Sequence, residues 1–332
     1  MYFVFACLAL LFWSGSDLFS KLGTYQKDKL SHWKVIFFVG LIMGLHAIIC
    51  IAVSPFIPPL EDGADGEWWR SLIYTDFTPM DFVEYLPVAF IYLAAMVVGY
   101  VGLRFVELSI SSPICNSSGS LAFVICVILG CAGLNELETN ELAFTIVGVV
   151  LITIGIIFLS FVEYKEDEEI KLKRQNPKYF KYTKSLWAIL IPVIYLIMDA
   201  LGTVGDQVIA EFEIFEISEY AANTAFEFTS LCFAIFAFIF VKFIKKEKFF
   251  SIPKENTRSL IIGGTCETLG QIFYMSVMFS DFKAGMPMIS AYCVLSVVWS
   301  RIFLKEKLSI KHYIAIFLTF AGIILLGIFS PV

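Results

Sequence analysis

Residues 33–53 read WKVIFFVGLIMGLHAIICIAV, an apolar stretch of the length (roughly 20 residues) that a helix needs to cross a bilayer. Nine similar stretches occur along the chain, which is 58% hydrophobic and contains 34 Phe. A water-soluble protein does not have enough polar residues at this composition to cover its surface. We therefore predict an all-α polytopic membrane protein. Its ten transmembrane helices are predicted over Tyr2–Leu22, Trp33–Val53, Leu86–Phe105, Pro113–Cys131, Leu142–Val162, Leu186–Ala210, Ser218–Val241, Leu260–Phe279, Pro287–Leu304 and Tyr313–Phe329.

The basic residues lie almost entirely in alternate gaps between these spans. Of the 24 Lys and Arg residues, 18 lie in the odd-numbered gaps and four (Lys21, Lys34, Arg104 and Arg301) lie at the span ends beside those gaps, whereas the even-numbered gaps hold only Arg70 and Lys283. Because positive charge stays on the cytoplasmic side, the odd gaps are predicted to be cytoplasmic and both termini to lie outside the cytoplasm. We expect an integral protein of a bacterial cytoplasmic membrane. The net charge of −6 comes from acidic outer loops, and the pattern gives no basic face for nucleic acid.

The two halves of the chain resemble each other. Residues 16–23 (SDLFSKLG) and 198–205 (MDALGTVG) share an Asp and a following Gly at the same spacing. The later matches are Pro113 with Pro287, the segments 134–136 (LNE) and 304–306 (LKE), and the glycines of the last helices, Gly148, Gly155 and Gly322, with Ala315 in place of a second Gly. Such self-similarity indicates an internal repeat. Since five spans per half is an odd number, the halves enter the membrane from opposite sides and form two inverted five-helix repeats.

The predicted organisation has three parts. Residues 1–162 form the first repeat, with an outer loop over 54–84. Residues 163–184 form a charged cytoplasmic linker, and residues 185–332 form the second repeat. Inverted repeats are an architecture in which a transporter binds its substrate near the midplane and moves one half against the other.

The first span, reading FWSGSD over residues 12–17, and the two segments LNE and LKEKL before glycine-bearing last helices resemble the EamA-type branch of the drug/metabolite transporter superfamily. The resemblance covers nearly the whole chain. It implies a ten-helix carrier of small metabolites, whose relatives move amino acids, nucleotide sugars, choline, purines and other solutes.

Five carboxyl groups lie at least four residues from either end of the predicted spans: Asp17, Asp199, Asp206, Glu227 and Glu267. Lys21, near the end of the first span, is the basic residue closest to them in sequence. A charge at the middle of a membrane costs about 3 kcal/mol on insertion scales, so each group needs a partner, a proton or water. Helical spacing predicts inward polar stripes, formed by Asp199, Thr203 and Asp206, by Glu267, Gln271 and Tyr274, by Asn223 and Glu227, and by Trp13, Asp17 and Lys21.

Each of these groups has a structural alternative. Asp17 and Lys21 suit a local ion pair in which Lys21 reaches the cytoplasmic surface. Asp206, near the outer end of its helix, suits simple contact with water. Glu227 and Glu267 are deeper, so a role in binding substrate or protons is favoured. The repeat pairs Asp199 with Asp17, and we expect both at one central cavity onto which Glu227 and Glu267 also open.

Aromatic residues at the same depth are candidates to wall this cavity: Trp13, Tyr195, Tyr274, Tyr292 and Trp299. Carboxylates and aromatic faces together favour a cationic or amine-bearing solute. The polar face of the fourth span, residues 115–120 (CNSSGS), is interpreted as a helix-packing surface.

The remaining motifs exclude other chemistry. The eight cysteines include no C-x-x-C pair and no histidine lies at ligand spacing, so no metal, disulfide or cofactor is predicted. His46, in mid-span, is interpreted as a packed, hydrogen-bonded residue. The phosphate-binding pattern G-x-x-x-x-G-K-[ST] does not occur, so the chain alone is not an ATP-driven pump.

The leading hypothesis is a secondary transporter of a small polar metabolite, cationic or zwitterionic, coupled to protons through Glu227 or Glu267. Its partners are then a small-molecule solute and the lipid bilayer, with a homodimer left open. A membrane enzyme acting on a lipid-linked substrate is one alternative, although the outer loops lack His. A non-transporting sensor or scaffold is the other, although it has no use for five intramembrane acids.

Overall fold

The computed structural model describes residues 2–24, 28–58, 72–105, 108–132, 139–165, 186–249, 252–280, 288–289, 291–303 and 309–329. Over these ranges the chain is helical, without strands. Ten α-helices are present in them: α1 (Tyr2–Gly23), α2 (Ser31–Val53), α3 (Pro79–Phe105), α4 (Leu108–Leu129), α5 (Thr139–Lys165), α6 (Leu186–Phe212), α7 (Glu219–Ile239), α8 (Lys254–Ser280), α9 (Tyr292–Phe303) and α10 (Ile310–Phe329). A 3₁₀ turn, Ser54–Phe56, follows α2, and a π-helical turn, Phe240–Ile244, continues α7.

Each of the ten predicted spans falls on one of these helices, but some boundaries differ. Helix α3 begins at Pro79 rather than Leu86, so the last part of the predicted outer loop 54–84 is helical. Helix α5 continues to Lys165 and includes the start of the predicted linker 163–184. Hydropathy misses such ends because helices extend beyond the apolar part of the bilayer. The rest of the linker lies outside the described residues.

Six stretches among the described residues are long and apolar enough to cross a membrane: Phe3–Gly23, Ser31–Phe56, Pro79–Gly102, Asn140–Phe158, Leu190–Phe212 and Glu219–Ile244. Helices α4, α9 and α10 contribute shorter apolar segments there. Helix α8 is less apolar because it carries polar residues, Glu267 and Gln271 among them. The fold is that of an integral membrane protein.

The helices pair in a pattern that relates two sets of five. Helix α1 packs against α8, and α6 packs against α3 in the equivalent way. Likewise, α4 packs against α6, and α9 packs against α1. Helix α2 contacts α8, as α7 contacts α3. Three further pairs, α2 with α7, α4 with α9 and α5 with α10, each join equivalent helices. If each helix of α1–α5 is exchanged with the helix five numbers later, α1 with α6 and so on, the same set of helix pairs therefore results.

The glycines that matched between the two halves bring α5 and α10 close together. A Cβ atom added to Gly322 would lie 2.7 Å from the Gly148 carbonyl oxygen and 3.0 Å from the Ile152 backbone nitrogen. Both obstacles are backbone atoms, which cannot rotate away. Gly322 is therefore a packing residue, as small residues often are where membrane helices meet.

Replacing Gly322 by Val is expected to destabilise the α5–α10 pair by about 1–3 kcal/mol, the usual cost of overpacking. The measurement is the unfolding of the detergent-solubilised protein, followed by circular dichroism. Ala321→Val is the matched control, because Ala321 lies next to Gly322 on the same helix and is partly exposed. Equal stability of the two variants would contradict close packing at Gly322.

Candidate solute site between the two sets of helices

Three of the predicted intramembrane acids lie around one internal space. Asp17 is on α1, Asp199 on α6 and Glu267 on α8, and both aspartates are close enough to act electrostatically on Glu267. All three side chains are partly exposed although their helices belong to the interior of the bundle. Glu267 also accepts a hydrogen bond from Ser16. These carboxyl groups therefore border a shared polar space.

The two aspartates have equivalent hydrogen-bond partners. Ser296 on α9 donates its hydroxyl to Asp17 Oδ2 at 2.9 Å, and Ser118 on α4 donates to Asp199 Oδ2 at 2.6 Å. Since α4 and α9 occupy equivalent places in the helix pairing, the same contact is made once in each half. Ser118 thus binds a carboxyl group and does not only pack, which corrects the interpretation of residues 115–120. The two serines orient the carboxyl groups towards the shared space.

Aromatic side chains enclose this space. The Trp13 ring lies 4.9 Å from that of Tyr274 and 5.7 Å from that of Tyr292, between ring centroids. Tyr195 hydrogen-bonds to Asp199. Tyr292 lies within electrostatic reach of all three acids. Four of the five predicted aromatic residues therefore meet at the acidic cluster.

Two features explain the placement of the aromatic rings. A Cβ atom on Gly270 would lie 2.4 Å from Trp13 Cδ1, so the missing side chain allows the indole to lie against α8. Trp299, the fifth predicted aromatic residue, donates its Nε1 hydrogen to Ser14 Oγ at 2.9 Å. This contact joins α9 to α1 beside the acids.

Asp206 is enclosed by tyrosines, and the expectation that it simply contacts water is wrong. Its side chain is 1% exposed. Tyr85 donates to Asp206 Oδ1 at 2.5 Å and Tyr274 donates to Oδ2 at 3.0 Å. The Tyr92 hydroxyl lies 2.5 Å from that of Tyr274 and donates to Thr203 at 2.9 Å. This tyrosine cluster ties together α3, α6 and α8; Gln271, one turn from Tyr274, is also buried.

Lys21 does not reach the surface as expected. Its side chain is 1% exposed and lies within the bundle. The expectation overlooked the close approach of α8, since a Cβ atom on Gly23 would lie 2.4 Å from Leu260 Cδ2. With α8 against this end of α1, Lys21 is enclosed before its ammonium group reaches water.

Glu227 belongs to a different site from Glu267, so the expectation that both open on one cavity is wrong. Its side chain is fully buried on α7. His46 Nδ1 on α2 lies 2.8 and 2.9 Å from the two carboxyl oxygens, and Asn223 Nδ2 donates to Oε1 at 3.2 Å. His46 Nε2 donates to the Leu72 carbonyl at 2.8 Å. The interpretation of His46 as a hydrogen-bonded residue is confirmed.

Sequence reasoning missed several residues of these clusters. Tyr85 and Tyr92 are seven positions apart, so they share one face of α3, and this spacing was an available signal. Ser118 and Ser296 gave no distinct signal, because serines in membrane helices are commonly packing residues.

The helices and the apolar stretches define a polytopic membrane protein. Residues 186–328 match the sequence model of the EamA-like transporter family, so the resemblance noted in the sequence is confirmed over these residues. The family consists of transporters of the drug/metabolite transporter superfamily rather than enzymes.

One solved crystal structure is similar over 99% of this chain and 97% of its own, with 13% sequence identity and a TM-score of 0.57. At this identity the likeness concerns the fold. The search of curated proteins found no match.

Proposed function

We propose that the protein is a secondary active transporter that moves a small cationic or zwitterionic metabolite across the bilayer. The observation that carries this proposal is the meeting of Asp17, Asp199 and Glu267 at one partly exposed, aromatic-walled space. Three carboxyl groups in a poorly solvated space repel one another when charged. A cationic solute relieves this repulsion and gains cation–π attraction from the rings.

Proton coupling follows from the same electrostatics, and Glu267 is the group we assign to it. A proton and a cationic solute both neutralise the cluster, so each favours release of the other. Glu267 lies within electrostatic reach of both aspartates. Glu227, by contrast, is fully buried beside His46 and has no accessible surface for a solute.

The transport cycle we propose is alternating access between two inverted five-helix repeats. The exchange-related helix pairings and the equivalent contacts of Ser296 with Asp17 and Ser118 with Asp199 support the repeat. In this topology the tyrosine cluster around Asp206 lies on the outer side of the acids. It closes the outer path, and its hydrogen bonds must open for solute to enter from outside.

Uptake into liposomes tests this function. The purified protein is reconstituted and offered a panel of amines, amino acids and nucleosides, with and without a pH gradient. Gradient-dependent accumulation of an amine-bearing solute above protein-free liposomes is the expected result. Binding without uptake of any member would favour a sensor, and chemical turnover of a lipid-linked substrate would favour an enzyme.

The basic-residue pattern predicts the topology. A reporter fused after Val332 is expected to be active only outside the cytoplasm, and a cysteine introduced in 63–66 is expected to react with an impermeant thiol reagent added outside. The reason is the distribution of 18 basic residues in odd gaps against two in even gaps. A cytoplasmic reporter signal would overturn the inverted repeat.

Removing two hydroxyls from the tyrosine cluster is expected to open the outer path. In Tyr85→Phe/Tyr274→Phe, Asp206 loses two hydrogen bonds, each worth about 1.5–3 kcal/mol when the acceptor is charged. We expect alkylation of Cys115 by an impermeant reagent added outside to rise at least about tenfold. Cys115 lies beside Tyr195 and Tyr292, so it reports on the central space.

Tyr100→Phe is the matched control for this experiment. Tyr100 is also a buried tyrosine of α3, but its hydroxyl has no hydrogen-bond partner among the described residues. An equal rise in Cys115 alkylation in the control would show general loosening of α3, not opening of a closed path.

A further inference from the structure

The turn that ends α7 carries a cluster of exposed basic side chains. Residues 242–248 read KFIKKEK, with one acidic residue, Glu247, among the basic ones. The lysines of this basic turn are all exposed: Lys242, Lys245, Lys246 and Lys248. In the topology proposed above, this end of α7 lies at the cytoplasmic face of the membrane. The basic turn therefore presents an excess of positive charge at the edge of the bilayer.

An exposed apolar face leads along α7 to the basic turn. Ile235, Phe236, Ile239 and Phe243 are between 43% and 61% exposed. They recur at spacings of three and four residues, so they share one face of the helix. This face is of the kind that contacts lipid acyl chains, and it ends at the lysines.

Aromatic rings hold two of the ammonium groups beside this face. Lys242 Nζ lies 5.1 Å from the ring centroid of Phe238 and 5.5 Å from that of Phe243. Lys245 Nζ lies 5.4 Å from the ring centroid of Phe240. A long side chain that is already ordered loses less conformational freedom when it binds a ligand. The two charges are therefore partly positioned for an anion next to the apolar face.

The backbone of the basic turn is held in place by the rest of the protein. In the π-helical turn, the Lys245 N–H donates to the Phe240 carbonyl at 2.9 Å. Lys34 on α2 donates its Nζ hydrogen to the Lys248 carbonyl at 3.5 Å. Lys246 has a φ of 56°, a left-handed conformation that costs free energy for any residue other than glycine. Such strain and π-helical turns both occur often at functional sites.

We propose that the basic turn and the apolar face of α7 together bind an anionic phospholipid. The lipid phosphate lies at the ammonium groups of Lys242 and Lys245, and an acyl chain lies along α7 over Ile239 and Phe236. A zwitterionic lipid offers the same chain, but its headgroup carries its own cation, so the lysines favour the anionic lipid. This site is on the outside of the helix bundle and is independent of the central acidic cluster.

Trp33 on α2 is a built-in reporter for this site. Its ring centroid lies 4.7 Å from that of Phe240 and 5.9 Å from that of Phe236. The full-length protein is reconstituted in phosphatidylcholine bilayers that contain an increasing fraction of phosphatidylglycerol with brominated acyl chains, which quench tryptophan fluorescence. Brominated phosphatidylcholine is the comparison lipid. Subtracting the signal of Trp33→Phe isolates the quenching of Trp33 from that of the other tryptophans.

We expect brominated phosphatidylglycerol to quench Trp33 at a mole fraction at least about fivefold lower than brominated phosphatidylcholine does, since each lysine near an anionic lipid contributes about this factor. The triple variant Lys242→Gln/Lys245→Gln/Lys246→Gln is expected to lose this preference. Replacing the same three lysines by Arg keeps the charge and is expected to keep the preference.

The matched control is Lys171→Gln/Lys173→Gln/Lys178→Gln, which removes the same charge from the predicted cytoplasmic linker. It is expected to bind phosphatidylglycerol as the unmodified protein does. An equal loss of preference in this control would show attraction by the overall charge of the protein, and would overturn a site at the basic turn.

Three further results would overturn the proposal. One is equal quenching of Trp33 by the two brominated lipids. Another is displacement of phosphatidylglycerol by soluble glycerol phosphate at an equal concentration, which would indicate a site for free phosphate. The third is a dimer without retained lipid in native mass spectrometry, because a second copy would then cover this face. None of these measurements involves solute uptake, so the transport function is tested separately.

Discussion

Replacing Glu267 by Gln is expected to abolish the accumulation of a cationic solute driven by a pH gradient, while exchange of solute across the membrane persists. The neutral amide cannot release a proton, so the pH gradient no longer drives accumulation of the solute. Asp17 and Asp199 still attract the solute, so exchange continues. The measurement is uptake of labelled solute into liposomes with and without the gradient, alongside counterflow against unlabelled solute.

Glu255→Gln is the control for this variant, because Glu255 lies on the same helix but is exposed in its first turn. Glu227→Gln is the informative comparison, since Glu227 lies outside the central space. It is expected to retain gradient-driven accumulation. Full pH dependence in Glu267→Gln would remove this residue from coupling and weaken the assignment of the acidic cluster.

The bilayer made the helices predictable from the sequence. A spanning segment must satisfy all its backbone hydrogen bonds internally, so apolar length alone locates helices. All ten predicted spans therefore fall on helices of the structure. The helix ends were less predictable, because α3 continues beyond the apolar region to Pro79, where composition no longer distinguishes helix from loop.

Site residues that match between the two halves of the chain could be predicted from the sequence, whereas the surroundings of the other site residues could not. Asp17 and Asp199 matched between halves, and the structure brings both to one space with Glu267. The surroundings of Asp206 and Glu227 depend instead on contacts between distant positions. Tyr85 is 121 residues from Asp206, and His46 is 181 residues from Glu227. Helical spacing describes neighbours on one helix and carries no information about such partners.

The His46–Glu227 pair is of special interest because its geometry fixes how many protons it holds. The Leu72 carbonyl can only accept, so His46 Nε2 carries a hydrogen. His46 Nδ1 faces the Glu227 carboxyl group, and one further hydrogen lies between them. The pair therefore stays neutral overall, and it ties α2, α7 and the segment at Leu72 together.

Removing one member of this pair is expected to give the largest loss of stability in the protein. His46→Leu leaves Glu227 fully buried with only Asn223 as a hydrogen-bond partner in the described structure, and breaking a buried pair in this way costs about 3–5 kcal/mol. The measurement is unfolding of the detergent-solubilised protein by circular dichroism.

The double variant separates a buried charge from lost packing. His46→Leu/Glu227→Leu removes both charges, and apolar replacement of a whole buried pair is often nearly neutral, so most of the stability is expected to return. Glu227→Gln is expected to cost less than Glu227→Leu, because the amide keeps a hydrogen between itself and His46 Nδ1. If the two single losses simply add in the double variant, His46 and Glu227 are not coupled and the pair does not hold α2 to α7.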